Sequence, residues 1–289
     1  MFGRNNEDRV GSQMPPADPP PIIPQNENQE SNSFEFAFAT PTQFVDLPSK
    51  GRFYLEGHPL HGKDTVEIRF MTAKDEDILT SKTLLKKGVA IDRLISNILV
   101  DKTLDPDLLL VGDKNAVIVA ARISGYGQIY ETTVGCPNCG SSAKHSFDLN
   151  NQTIVPGNDF EGFNIEETPE KTFIITLPLS EARVEVRLLS GLDEKQLLKM
   201  SKSKQKNNLP ESPLTDVFKV YIKSVNGNNN VSLINSFVDN LPAIDSRYLR
   251  HAYKLVVPTV DLTQEFACND CGHEQEMEVP FTSDFFWPK

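Results

Sequence analysis

Three phenylalanines alternate with other residues in Ser33-Phe34-Glu35-Phe36-Ala37-Phe38, as in a strand with one apolar face. The segment suits an edge strand of the following domain, or an arm added to a neighbouring subunit. Before it the chain is rich in Asn and Gln around a proline cluster from Pro15 to Pro24. That composition favours extended chain without a core, so residues 1–41 read as a disordered N-terminal arm.

Order is expected from Thr42. Leu47-Pro48-Ser49-Lys50-Gly51 reads as extended chain entering a turn. Gly57, Pro59 and Gly62 mark a hairpin that returns through Thr65 to Phe70. Thr72 is placed to cap a helix, with Asp75 at the position that reaches back to the cap. Ile78, Leu79, Leu84 and Leu85 give that helix its apolar face, and Gly88 ends it. Further helices are predicted over 91–99 and 114–124, the latter capped by Asp113 and followed by Gly125. The acidic cluster Asp75-Glu76-Asp77 is explained by capping and the helix dipole, so no acid–base role is assigned to it.

The pattern then starts again. Val66-Glu67-Ile68-Arg69 and Val184-Glu185-Val186-Arg187 share Val, Glu and Arg 118 positions apart, and Thr72/Asp75 match Ser190/Asp193. Helices over 214–224 and 246–255 continue the parallel. Each half closes with a strand, a C-x-x-C-G unit and a second strand, now 132 positions apart. The extra 14 residues of the second half fit the Lys-rich stretch 201–213, whose Lys202, Lys204 and Lys206 read as a solvated loop. The pattern reads as an internal duplication. The predicted fold is α+β: two similar halves, each a small antiparallel sheet plus helices, joined at a shared four-cysteine zinc ribbon. The predicted boundaries are 42–149 for the first repeat, 150–171 for a polar linker and 172–289 for the second repeat.

Composition narrows the function. The 289 residues carry a net charge of −11, which disfavours nucleic acid and anionic lipid as partners. No apolar run reaches the roughly 20 residues of a membrane span. The N-terminus lacks a basic start followed by an apolar stretch, so cytoplasmic synthesis is expected, where disulfides are disfavoured.

All four cysteines, Cys136, Cys139, Cys268 and Cys271, lie in the two C-x-x-C-G units. Each unit curls two sulfurs toward one point, and the following glycine permits a positive-φ turn. Two such knuckles supply the tetrahedral thiolate set that zinc prefers, and four thiolates leave no open position, so the expected zinc is structural. A redox pair is less suited, because both units sit between strand-like segments and not at a helix N-terminus. His145 and His273 near the knuckles are not needed as ligands. The loop pair His58/His61 lacks a nearby third ligand.

Leu47-Pro48-Ser49-Lys50-Gly51, Ser124-Gly125-Tyr126-Gly127 and the closing Phe285-Phe286-Trp287-Pro288 resemble the baseplate hub and hub-assembly proteins of T-even-type contractile-tailed phages. The likeness spans about residues 42–289. It implies a non-catalytic structural component of the tail baseplate, in the hub region. Its partners would be other tail and baseplate proteins, with no nucleic acid, membrane or small-molecule substrate. It would be made in the host cytoplasm and located in the virion tail. An assembly chaperone absent from the mature virion is the alternative. A zinc-ribbon nucleic-acid binder ranks lower, because Asp261, Glu265, Asp270, Glu274, Glu276 and Glu278 flank the second knuckle. No Ser/His/Asp set, phosphate-binding loop or open metal site suggests an enzyme. The terminal aromatics have two candidate fates: packing on the second half beside the ribbon, or anchoring a neighbouring subunit.

Overall fold

The computed structural model describes residues 40–280 and 283–286. The expected arm lies outside these residues except for its last two. The alternating phenylalanines and Trp287 also lie outside them.

Hairpins and short helices alternate along the chain. β1 (Thr42–Asp46) pairs antiparallel with β2 (Thr65–Arg69), Val45 opposite Val66. Then come α1 (Ala73–Thr80), α2 (Lys82–Lys87), α3 (Ala90–Ile98), a 3-10 turn at Pro106–Leu108 and α4 (Val111–Tyr126). β3 (Ile129–Gly135) and β4 (Ser142–Asp148) form a second hairpin, followed by β5 (Thr153–Val155). β6 (Ile165–Glu167), β7 (Phe173–Thr176) and β8 (Arg183–Val186) lead into α5 (Gly191–Lys206), α6 (Pro213–Tyr221) and β9 (Ile222–Val225). β6 to β9 make a four-stranded antiparallel sheet in sequence order. α7 (Val231–Asp239), α8 (Ala243–Val256), β10 (Thr259–Asp261), β11 (Thr263–Ala267), β12 (Glu274–Glu278) and a 3-10 turn at Ser283–Phe286 complete the chain. The class is mixed α+β with small antiparallel sheets, as expected.

One local device occurs twice. Thr72 and Asp75 form a capping box at α1, and Ser190 and Asp193 form one at α5. Each buried carboxylate also accepts from both terminal nitrogens of an arginine, Arg69 ending β2 and Arg187 just after β8. Asp75 binds Arg69 at 2.6 and 3.0 Å, and Asp193 binds Arg187 at 2.8 and 2.7 Å. The bidentate pair fixes the angle at which strand turns into helix.

A second device fastens the hairpin turns. Asp113 is not the cap of α4. It is buried in the helix's first turn and accepts from the Ser49 amide (3.0 Å), the Ser49 hydroxyl (2.6 Å) and the Tyr54 hydroxyl (2.7 Å). In α8, buried Asp245 likewise accepts from the Leu179 and Ser180 amides at 2.9 and 3.0 Å, in the turn between β7 and β8. A buried carboxylate needs such donors, and a turn supplies amides that no strand uses.

Other expectations are corrected. The helix expected up to Gly88 is two helices, because Ser81 leaves the helical region and caps α2. Gly88 ends α2 at φ 73°. Gly125 lies inside α4, where a Cβ would meet the Met71 sulfur, and the helix ends at Gly127. The Lys-rich stretch is helical to Lys206, with Lys204 held by Asp216 at 2.6 Å. Lys and Gln are good helix formers, so solvation and helicity are compatible there. The helix expected over 214–224 gives way at Ile222 to a strand. The 150–171 segment carries two strands, β5 on β10 and β6 on β7.

The buried core forms two clusters. One gathers β1–β4, α1, α3 and α4 around Leu79, Leu94, Ile98 and Val117. The other fills the four-stranded sheet, α6 and α8, around Phe173, Val184, Phe218 and Leu249. The clusters do not follow the chain's midpoint. Leu262, Phe266, Val279, Phe285 and Phe286 all belong to the first cluster, and Phe53 to the second. Phe285 and Phe286 therefore pack within the protein, in the cluster built mainly by the first half and not the one that fills the second. Phe285 sets its ring edge-on to Tyr130 of β3, centroids 5.1 Å apart. Its carbonyl accepts from Arg122 Nε of α4 at 2.6 Å. Arg122 is fully buried, and its remaining nitrogens donate to the Gly127 and Ile129 carbonyls at 2.6 and 3.1 Å.

Candidate metal centre

The two cysteine units sit at the tips of the β3–β4 and β11–β12 hairpins, and their backbones are near copies. In the first, Gly140 N–H donates to the Cys136 carbonyl at 2.9 Å and Cys136 N–H to the Ser141 carbonyl at 2.8 Å. In the second, Gly272 N–H donates to the Cys268 carbonyl and Cys268 N–H to the His273 carbonyl, both at 2.9 Å. Gly140 and Gly272 take φ of 72° and 65°, the left-handed turn that the sequence assigned to them.

The hairpins bring the four sulfurs within 4.8 Å of one another. Cys136 Sγ lies 3.7 Å from Cys271 Sγ, and Cys139 Sγ lies 3.8 Å from Cys268 Sγ. The pairing is reciprocal: the first cysteine of each unit faces the second of the other. None is disulfide-bonded. A tetrahedron with metal–sulfur bonds of about 2.3 Å has sulfur–sulfur edges of about 3.8 Å, so the donor set fits a metal ion. Cys136 and Cys268 are buried, whereas Cys139 and Cys271 face solvent.

Polar neighbours favour thiolate character at Cys268 and Cys139. The Cys271 amide, the Ser141 hydroxyl and the Asp270 amide draw the Cys268 thiol down to about 6. Ser141 Oγ lies 3.0 Å from Cys139 Sγ, and its hydroxyl, then its amide, lowers that thiol too. Cys136 is pulled down by the Cys139 amide, but burial and the adjacent sulfurs outweigh this and push it up to about 11. Ser141 and Asn138, whose Nδ2 lies 3.7 Å from Cys271 Sγ, escaped the sequence reading. The only sequence signal for them was their place inside or beside a knuckle.

The nearby histidines have other work. The His145 ring packs edge-on against Phe147 and Phe266. His273 Nε2 lies 3.4 Å from Gln275 Oε1. In the first hairpin, His58 Nδ1 accepts from the Leu60 amide and its ring stacks on Tyr54, whose carbonyl meets His61 Nδ1. On the outer face of β11–β12, exposed Glu265 stands directly opposite exposed Glu276. No helix among the described residues is long and apolar enough to cross a membrane.

Two antiparallel hairpins meeting at a four-thiol site define a metal-competent α+β protein. Residues 40–287 match the family described as T4 bacteriophage base plate protein, and the chain belongs to that family. No curated protein and no solved structure matches it.

Proposed function

We propose that the chain is a non-catalytic component of the baseplate hub region that makes protein–protein contacts, and that Cys136, Cys139, Cys268 and Cys271 hold one structural zinc. The observation that carries this reading is the closure of four thiols from two hairpins to within 4.8 Å of one another, in a chain of the baseplate family. Four protein ligands saturate zinc, so the site serves cohesion. It ties the β11–β12 hairpin to the first core cluster.

The two halves are read as copies of one ancestral unit, the first ending near residue 149 and the second starting near 172. The twin capping boxes, the twin Asp113 and Asp245 locks and the twin knuckles support this. Leu99 after α3 bridges Ile68, and Ile222 after α6 pairs with Val186. By that correspondence the extra residues of the second half divide between the connection into α6 and α7, instead of filling 201–213 alone. A local two-fold at the ribbon would relate the knuckles. It does not extend to α4, where Gly112 meets Pro258 while its counterpart Ile244 is 59% exposed.

Metal analysis of the purified chain should give one zinc per chain, and mass spectrometry of purified virions should detect the chain. No zinc, or two, refutes the site. Absence from virions that need the gene for assembly turns the function to that of an assembly factor.

A further inference from the structure

The outer surface of α2 and α5 is built unlike the rest of this acidic chain. None of α2's residues is buried, and of α5's only Gly191 and Asp193 are. The C-terminal end of α2 comes up to α5: a Cβ added at Gly88 would lie 3.2 Å from Leu198 and 3.5 Å from Lys202 Nζ. Lys199, Lys202 and Lys206 stand three or four residues apart and so form one stripe along α5, while Lys82 and Lys86 do the same on α2. All five are exposed, and none has an ion-pair partner among the described residues, although Lys195 and Lys204 of the same helix are paired with Asp107 and Asp216. Like charges at this spacing repel, and no ion pair among the described residues relieves them. Leu85 and Leu198 lie exposed among these lysines. Beside them, between α5 and α6, is an open cleft of about 280 Å³ lined by Leu197, Leu198, Pro213 and Val217 above the Lys204–Asp216 pair, with Glu211 on its rim.

We propose that this face docks an acidic segment of another protein. One or two leucine or phenylalanine side chains of that segment would enter the α5–α6 cleft, and its carboxylates would meet the lysine stripes. Charge complementarity selects the partner: unpaired lysines in a net-negative chain attract acidic surface, and the apolar cleft supplies the anchor that phosphate backbones lack. The geometry is that of a helix or extended peptide laid in a shallow groove with charged margins. The proposal rests on the reading of the chain as a protein-contact component. Its test uses only purified protein, so it fails or succeeds independently of whether virions contain the chain.

The test is fluorescence anisotropy of the full-length chain with a labelled amphipathic peptide of glutamate and leucine, a leucine-free glutamate/serine peptide and a short DNA duplex. The expected result is saturable binding of the first peptide that weakens with salt and exceeds the other two. The triple variant Lys86→Glu/Lys199→Glu/Lys202→Glu should weaken it by at least about tenfold, since each reversal removes one attraction and adds one repulsion. Leu198→Ser should weaken it while leaving the salt dependence unchanged. These side chains are exposed, so circular dichroism should confirm the wild-type fold in each variant. Failure to bind the amphipathic peptide, binding indifferent to the triple reversal, or duplex binding of equal strength through the same lysines would each overturn the proposal.

Discussion

Replacing Phe285 by alanine tests whether the chain's end holds the first core together. The ring is 2% exposed and packs edge-on against Tyr130 at 5.1 Å and Phe286 at 5.3 Å, with the Arg122 guanidinium 5.9 Å from its centroid. Truncating a buried phenylalanine costs about 3–5 kcal/mol, from lost transfer energy plus the cavity left behind. The two aromatic pairs place this site in the upper part of that range, so a loss of about 4–5 kcal/mol is expected. The substitution keeps the backbone carbonyl, so Arg122 retains its acceptor and the loss reports packing alone. Deleting residues 284–289 goes further. It removes both rings and leaves a buried guanidinium N–H without its acceptor, a further penalty of about 1–3 kcal/mol. Urea denaturation followed by far-UV circular dichroism reads both. Phe285→Ala should lower the midpoint without changing the slope, and the deletion should lower it more or abolish folding. A loss below about 1 kcal/mol for Phe285→Ala would mean the ring is not packed as described, and the tail would then be free to serve a neighbouring subunit.

Gly112→Ala should destabilise strongly, because the new Cβ would lie 1.8 Å from the Pro258 carbonyl oxygen and both sides are backbone; a thermal midpoint within a degree of wild type refutes that close approach. Asp75→Ala removes a capping box and a bidentate partner of Arg69 and should cost about 2–4 kcal/mol by denaturation, with Asp193→Ala giving a similar loss in the second half. Burial opposes ionisation of Asp75, but Arg69, the Thr72 amide and Asn97 outweigh it and hold the carboxyl at about 2 against an ordinary 3.8. A lowered pKa means the contribution is present above pH 3.8 and lost as pH falls through 2. The stability difference between wild type and Asp75→Asn should therefore shrink across that window, and a constant difference refutes the assignment.

What the residues revealed in advance was local chemistry. The knuckles were legible because cysteine spacing and the following glycine specify a turn without help from the rest of the fold. The capping boxes were legible for the same reason: Thr72 and Asp75 act within one helical turn. The functions of Asp113 and Arg122 were not legible. Asp113 looked like a cap because the residues after it are helical, but the backbone is already helical from Val111. Its donors come from a hairpin turn more than fifty residues earlier, and no local pattern encodes that meeting. Arg122 finds its acceptor at Phe285, supplied by the far end of the chain. Ile222–Ser224 of β9 reads as helix because its strand identity comes from pairing with β8, and periodicity over so few residues cannot separate the two. Tertiary pairing also decided the fate of β5 and β6, which sit in polar surroundings that suit a linker.

The same long-range meetings bear on how the chain closes. The first core cluster is incomplete until residues 262–286 arrive, since Leu262, Phe266, Val279, Phe285 and Phe286 supply part of its walls. The first half alone would leave Tyr130, Phe147 and the Arg122 charge facing water or an open cavity. Bringing the distant hairpin back costs loop entropy, but that cost grows only with the logarithm of the loop, about 0.6 kcal/mol per doubling. A metal bridging the knuckles, as proposed, would close a loop longer than a hundred residues and remove about 5 kcal/mol of unfolded-state entropy in the chain-entropy model. The C-terminal rings and the four thiols therefore act on the same gap from opposite ends of the β3–β4 hairpin, Phe285 at its base beside α4 and the cysteines at its tip. Losing either fastening leaves the hairpin held by the other, by the His145–Phe266 ring contact and by the Gln264–Asp148 hydrogen bonds. On this logic Phe285→Ala should also speed zinc loss to a chelator, and an unchanged release rate would separate the two fastenings.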